Sequence, residues 1–268
     1  MILRALTHEL RLLLVALQFL TRVPVPAWVG YEPQWLNRSV RHFPLVGVGV
    51  GAVGAAVACA AALLWPAPVA ATLSVAVTLW LTACFHEDGL ADTFDALLGA
   101  TSRDRALEIM KDSRIGTYGA AALVVALLLR IGLLAQMLRH DPLLAAACLV
   151  AGHAAGRACA VALMATLPYG GDDAHAKAKP LAREVRGSDA AWAVVVGLAA
   201  LVLVGPASGS AAQAALAVAV AAAGLWVLLA VLRAWLRRRL GGYTGDTLGA
   251  CQQLGEILVW LVFVAVWV

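Results

Sequence analysis

Residues 69–95 read VAATLSVAVTLWLTACFHEDGLADTFD, an apolar run (residues 69–84) followed directly by an acidic stretch (residues 85–95). The apolar run is long enough to cross most of a bilayer. Asp88, Asp92 and Asp95 are spaced i, i+4 and i+7, and on a helix this spacing places all three carboxylates on one face. Residues 69–95 therefore predict a membrane helix that leads into an acidic site.

Carboxylates packed together resist ionisation unless a cation joins them. Mg²⁺ takes one or two protein carboxylates together with waters and phosphate oxygens, so we expect Mg²⁺ to be held by Asp88, Asp92 and Asp95. Glu87 lies in the same stretch, and the sequence leaves open whether it is a fourth ligand or points away. The alternative is a solvated helix end, but Gly89 argues against it, because such an end needs no backbone that can be approached closely.

The composition assigns the chain to the membrane. It is 62% apolar and 13% charged, with a mean hydropathy of +0.85, whereas a soluble domain is about one quarter charged. We expect an all-α, polytopic integral membrane bundle, built as one membrane-embedded domain over residues 1–268. The net charge of +4 is modest, so we expect membrane lipid and small molecules as partners and no nucleic acid. The five cysteines contain no CxxC pair, which argues against a zinc site.

The apolar runs predict about seven spans, preceded by an interfacial helix over residues 10–20. The predicted spans cover residues 43–65, 69–85, 120–138, 143–167, 190–204, 211–232 and 247–268. Of the 20 Lys and Arg residues, 17 lie in four connections on one side, at residues 1–42, 86–119, 168–188 and 233–246. By the positive-inside rule that side is cytoplasmic, which places the amino terminus inside and the carboxyl terminus outside an inner membrane.

Two further polar blocks fall on the predicted cytoplasmic side. KDSRIGTYG (residues 111–119) gathers Lys111, Asp112 and Arg114 before a span begins, and cations with hydroxyls at a helix start suit phosphate. GGYTGDT (residues 241–247) offers Thr244 and Asp246, either for nucleotide phosphate or to complete a metal shell. Gln253 follows in the last span, where a polar side chain adds to this indication. The polar loop at residues 168–187 is either a lid or a plain solvated loop.

Three ionisable residues lie inside predicted spans, where such groups are costly and usually face a bundle interior. His153 and Arg157 are i, i+4 neighbours. Arg157 either reaches a diphosphate held by the acidic stretch or pairs with Asp88 or Asp92 to hold the bundle together. Arg130 has no evident site, and we expect it to be structural.

The pattern HxDGLADTxD after a membrane span, followed by KDSRIGTYG, resembles the cobalamin synthase family. The resemblance recurs at FLTRVPVP (residues 19–26), FPLVGVGVG (residues 43–51) and GGYTGDTLGACQQLGE (residues 241–256), so it spans nearly the whole chain in family order. Two places depart from it. Glu87 stands where the family usually has an apolar residue, and the loop at residues 168–187 matches only loosely.

This resemblance implies an enzyme that joins adenosylcobinamide-GDP to α-ribazole, or to its 5′-phosphate, and releases GMP. It implies that Asp88, Asp92 and Asp95 hold Mg²⁺ and that Lys111 and Arg114 brace phosphate. Asp95 or His86 would accept the proton of the attacking hydroxyl, and the sequence does not choose between them. Substrate contacts are expected at Asp112, Arg157, Thr244, Asp246 and Gln253, and homo-oligomerisation stays open.

Two alternative functions agree less well with the sequence. A CDP-alcohol phosphotransferase usually has an arginine shortly after its DG pair, whereas here Asp92 follows Ala91. A transporter would show an inverted repeat and broken helices, and the sequence contains no convincing second copy of the acidic stretch.

Overall fold

A computed structural model describes residues 2–30, 32–171, 185–205 and 210–267. Within these residues the chain is all-α, as predicted, and strand-like pairing is limited to one bridge between Tyr169 and Tyr243. Two short 3-10 helices, Ala27–Val29 and Val40–His42, join the first α-helices. The α-helices are α1 (Ile2–Leu20), α2 (Pro33–Ser39), α3 (Phe43–Ala62), α4 (Ala67–Leu81), α5 (Phe85–Gly99), α6 (Arg103–Lys111), α7 (Thr117–His140), α8 (Pro142–Thr166), α9 (Gly187–Val202), α10 (Ala211–Arg239) and α11 (Gly245–Trp267).

The predicted polytopic bundle is confirmed, and among the described residues fewer helices than the predicted seven qualify as spans by length and composition. Among the described residues, five helical units are long and apolar enough to cross a membrane: 33–62, which contains α2 and α3, and α7, α8, α10 and α11. Helices α4 and α5 qualify only as a pair, bent by 88°, which raises the count to six. With 15 and 16 residues, α4 and α9 fall short of the roughly 20 that a complete crossing takes.

The predicted interfacial helix is part of α1, which begins earlier, at Ile2. One side of α1 packs on the bundle through Leu12, Ala16 and Leu20, and the other side exposes Leu6 and Leu10. Exposed leucines are typical of a helix that lies at a membrane surface.

Helix α8 lies at the centre of the bundle, and most of its side chains are buried. Glycines on α3 allow it to approach α8 closely. A Cβ at Gly51 would lie 2.7 Å from Val150 Cα, and one at Gly47 would clash with the backbone at His153. The GxxxG spacing on α3 thus serves close helix packing.

Polar contacts join the connections at one end of the bundle. Arg103, at the start of α6, donates from Nε to Leu240 O (3.0 Å) and from a terminal nitrogen to Gly170 O (2.8 Å). Arg239, at the end of α10, donates to Ala100 O at 2.5 Å. The α5–α6, α8–α9 and α10–α11 connections, which the sequence placed on one side, therefore meet in space. The predicted lid or solvated loop lies largely in residues 172–184, outside the described residues.

Candidate active site

The site is organised by the bend between α4 and α5. Ala83 and Cys84 take left-handed backbone conformations, with φ of +56° and +54°. This conformation costs a non-glycine residue about 1–2 kcal/mol, so the surrounding packing must offset it. The bend turns α5 against α7 and α11, so that His86 and Glu87 are buried while Asp88 is exposed.

A cleft of about 880 Å³ opens beside this bend, within the size range of small-molecule sites. The residues around it come from the end of α1, the segment that follows it, the bend and the first turn of α5; its polar lining includes Gln18, Thr21, Thr82 and Asp88. Residues 19–26, the FLTRVPVP stretch, supply much of the rest of its lining. Gln18 and Thr21 were not among the predicted site residues. Gln18 directly precedes FLTRVPVP and Thr21 lies within it, and this position was the sequence feature that could have indicated them.

The three aspartates of the acidic stretch have different surroundings. Asp88 is exposed and lines the cleft, and Asp92 is half-buried one turn further on. Asp95 is buried, and its oxygens accept hydrogen bonds from the backbone N–H groups of Gly116 (2.7 Å) and Gly119 (2.8 Å). Asp95 thus holds the first turn of α7, a role that its predicted part in metal binding or proton transfer did not anticipate.

Gly116 and Gly119 are explained by the same contact. A Cβ at either position would lie 2.9 Å from Asp95 Cγ. Within the part of the chain that the structure describes, no three His, Cys, Asp or Glu side chains are grouped as metal ligands. The three aspartates are therefore not grouped in the described structure, and Asp88 is the one that lines the cleft.

Glu87 points into the bundle, away from the cleft. Its Oε1 accepts from Arg130 at 2.8 Å and from Gln253 Nε2 at 2.9 Å. Arg130 also pairs with Glu256 at 3.1 Å, so it joins α5, α7 and α11, which is the structural role predicted for it. Of the two alternatives left open for Glu87, the structure shows the one in which it points away, and Gln253, a predicted substrate contact, is buried within the protein.

Arg157 is buried beside its predicted neighbour His153. It donates to His153 O at 2.9 Å, while His153 Nδ1 lies 2.8 Å from Glu256 Oε2. Among the described residues, the ion pairs of this region do not join Arg157 to Asp88 or Asp92, so the predicted bundle-holding pair is not formed. Arg157 instead lines a small internal cavity with His86.

The start of α11 is a reciprocal cap. Thr244 N donates to Thr247 Oγ1 (2.9 Å), and Thr247 N donates to Thr244 Oγ1 (3.3 Å). Thr244, a predicted substrate contact, is buried and has this capping role. The backbone of Asp246 lies against Gly89, where a Cβ would come within 2.6 Å of Asp246 O. Gly89 is indeed closely approached, but by a helix and not by a ligand.

The segment that contains Lys111 and Arg114 lies beside α5, because the backbone of the nearby Gly116 binds Asp95. The sequence predicted these two blocks on the same side of the membrane. Arg114 donates to Asp112 from Nε at 3.0 Å and from a terminal nitrogen at 2.6 Å. This hydrogen bond and charge lower the pKa of the Asp112 carboxyl to about 2. The Arg114 side chain is 87% exposed, so binding a phosphate in the cleft would require it to leave Asp112.

Comparison with known proteins identifies the family. The family model described as cobalamin-5-phosphate synthase matches residues 12–264. The chain belongs to this family. Three curated relatives are named adenosylcobinamide-GDP ribazoletransferase. The protein from Leptothrix cholodnii is 54% identical over 98% of both chains, and those from Ralstonia nicotianae and Shewanella amazonensis are 45% and 44% identical, each over 97% of both chains. No solved structure matches the chain.

Family membership confirms the resemblance read from the motifs. FLTRVPVP and the start of the acidic stretch, two of the motifs that carry the resemblance, both line the cleft.

Proposed function

We propose that this chain transfers the adenosylcobinamide phosphate group from adenosylcobinamide-GDP to α-ribazole or its 5′-phosphate and releases GMP. The observation that carries the proposal is Asp88 in the wall of the 880 Å³ cleft, opposite FLTRVPVP. The family match and the relatives' shared name support the same reaction.

The residues present fit a Mg²⁺ ion. Asp88 and Asp92 lie one helical turn apart near the cleft, and Mg²⁺ is commonly held by one or two carboxylates, waters and substrate phosphates instead of by an all-protein cage. A bound Mg²⁺ would neutralise charge on the diphosphate during transfer. Asp95 and Glu87 contribute indirectly, because they fix α5 against α7 and α11.

The chain's own part in the reaction is to hold the substrates and to move one proton. The 5′-hydroxyl oxygen attacks the cobinamide-linked phosphorus, the bond from that phosphorus to the bridging oxygen breaks, and GMP leaves with its electron pair. Asp95 and His86 stay the two candidate proton acceptors: both oxygens of Asp95 already accept backbone N–H groups, and His86 is buried. His86 lines the internal cavity next to the cleft, behind Phe85.

The same proposal places the protein in the inner membrane with its cleft facing the cytoplasm. The support is the concentration of 17 of the 20 Lys and Arg residues in connections on one side, three of which meet in space. Cysteine labelling at Ser102 in intact cells, with a membrane-impermeant reagent and the native cysteines replaced, tests it. Labelling from outside would contradict this orientation.

The activity is tested with purified protein in detergent. Adenosylcobinamide-GDP and Mg²⁺ are supplied with α-ribazole or with its 5′-phosphate, and GMP and the corrinoid product are measured together. We expect equal amounts of the two products and their loss with a chelator. Turnover of a CDP-alcohol with no GMP release from adenosylcobinamide-GDP would contradict the proposal.

A further inference from the structure

The buried polar cluster between α5, α7, α8 and α11 contains two carboxylates and two arginines. Glu87 and Glu256 are both bound by Arg130, at 2.8 and 3.1 Å, and Glu256 also contacts His153. Glu256 further accepts from Gln252 Nε2 at 2.7 Å. The internal anions are therefore already partnered without Arg157.

Arg157 lacks a comparable partner. It is 2% exposed, and within the described residues its hydrogen bonds go only to His153, through the carbonyl oxygen (2.9 Å) and the ring Nδ1 (3.4 Å). Its Nε has no hydrogen-bond partner there, and none of the ion pairs between described residues includes it. Glu256 and Glu87 act on its charge without contacting it, so the cost at this depth is that of buried donors without an acceptor.

A cavity lies against this guanidinium. Arg157, His86 and Gln252 supply its polar lining, and Phe19, Leu20 and Phe85 form walls that it shares with the main cleft. Its volume is about 30 Å³, which admits an atom the size of a water oxygen. One phosphoryl oxygen reaching in from the cleft fits this space, whereas a whole phosphate group needs the cleft for its remainder.

We infer that Arg157, with His86 and Gln252, forms a buried subsite for one phosphoryl oxygen of the substrate's diphosphate. This rests on the proposed function for the source of the phosphate. The guanidinium supplies the positive charge and the hydrogen-bond donors. Phe19 and Phe85, whose ring centroids lie 5.5 Å apart, line both this subsite and the main cleft.

The test measures binding in place of turnover. Full-length protein in phospholipid-free detergent is titrated with magnesium pyrophosphate, and with Mg²⁺ alone as the blank, while the apparent Tm is followed. For Arg157→Met we expect pyrophosphate affinity to fall about tenfold or more, because a charged donor to phosphate has been removed, and the Tm without pyrophosphate shows whether the variant is folded.

The matched control is Arg41→Met. Arg41 is also largely buried, but it is paired internally with Glu9 and Asp189. Its loss should lower the Tm and leave pyrophosphate affinity unchanged. Arg157→Lys keeps the charge without the fork of donors and should weaken binding severalfold, so the inference stays testable if Arg157→Met does not fold.

Each other outcome has a definite meaning. Unchanged pyrophosphate affinity in a folded Arg157 variant overturns the subsite and leaves a water as the occupant of the cavity. Stabilisation of the wild type by added phosphatidylglycerol, lost in Arg157→Met, without any response to pyrophosphate, overturns the substrate's diphosphate as the source. Arg157-dependent pyrophosphate binding in a protein that releases no GMP would retain the subsite and reject the proposed function.

Discussion

Glu87 and Asp88 are neighbours in the chain, yet their carboxylates have opposite surroundings. Glu87 and Asp95 belong to the inward side of α5, where Arg130 and Gln253 bind one oxygen of Glu87 and two backbone N–H groups bind the oxygens of Asp95. Asp88 belongs to the cleft side. The comparison shows that acidic residues in one motif divide between holding a helix in place and facing the cleft, and that helical spacing alone does not separate the two positions.

The largest expected effect is on the cleft side. Asp88→Asn should lower GMP release by about 100- to 1,000-fold, because a charge that organises the transition state is removed. Solution behaviour and Tm should stay close to wild type, since Asp88 is exposed. Glu108→Gln, at an exposed acid on α6, is the control. Near wild-type turnover in both Asp88→Asn and Asp92→Asn would show that the cleft side holds no metal ion.

The next effect is on the inward side and concerns stability. Glu87→Gln leaves Arg130 with one carboxylate fewer in a buried site, which should cost about 3–5 kcal/mol. Thermal unfolding in detergent measures the loss. Glu9→Gln is the control, because Glu9 also pairs with an arginine but is 46% exposed; it should cost no more than about 1 kcal/mol. Equal losses of unfolding free energy in the two variants would show that burial of the carboxylate does not strengthen its ion pair.

A smaller effect is expected at Asp95. Asp95→Ala removes the acceptor for Gly116 and Gly119 and should cost about 1–2 kcal/mol, as the loss of a helix cap does. Asp95→Asn keeps one acceptor oxygen and should cost less. Both variants are to be compared by Tm and by GMP release under the same conditions. Abolished turnover at unchanged Tm would return Asp95 to the predicted metal or proton-transfer role.

The smallest effect is expected outside α5, at Arg114. Arg114→Lys should lower turnover severalfold with little change in KM, because lysine cannot form two parallel hydrogen bonds to phosphate. Since the pKa of Asp112 is lowered to about 2, the Asp112 carboxylate stays ionised at any assay pH near neutrality and does not complicate the comparison.

The control for Arg114→Lys is Arg238→Lys, at matched expression in the membrane fraction. Arg238 lies in the exposed end of α10, where positive charge serves topology. Full activity in both variants would make Arg114 an anchor of the same kind.

Much of the fold was predictable because apolar runs of sufficient length identify helices directly. The predicted spans over residues 120–138, 143–167 and 247–268 correspond to α7, α8 and α11. The break after α4 was not predictable in this way, because Ala83 and Cys84 take a conformation that usually favours glycine. Because no glycine marks the break, the sequence predicts one straight span over residues 69–85.

The site was predictable at the level of motifs and less so at the level of side chains. The i, i+4, i+7 spacing placed Asp88, Asp92 and Asp95 on one face, but the contact that engages Asp95 comes from glycines 21 and 24 residues away. Glu87 depends on Arg130, 43 residues away. Such partners become visible only when α7 and α11 pack on α5.

The bend between α4 and α5 also bears on how the chain enters the membrane. A helix of 15 residues is too short to span the hydrocarbon core when it leaves the translocon alone, so α4 must wait for α5 and for the helices that cover it. We therefore expect the orientation of this region to be decided by late assembly and not by stepwise insertion. Reporter fusions truncated near Cys84 would then give the position of an unfinished intermediate, and sandwich fusions that retain residues 85–267 are better suited to mapping it.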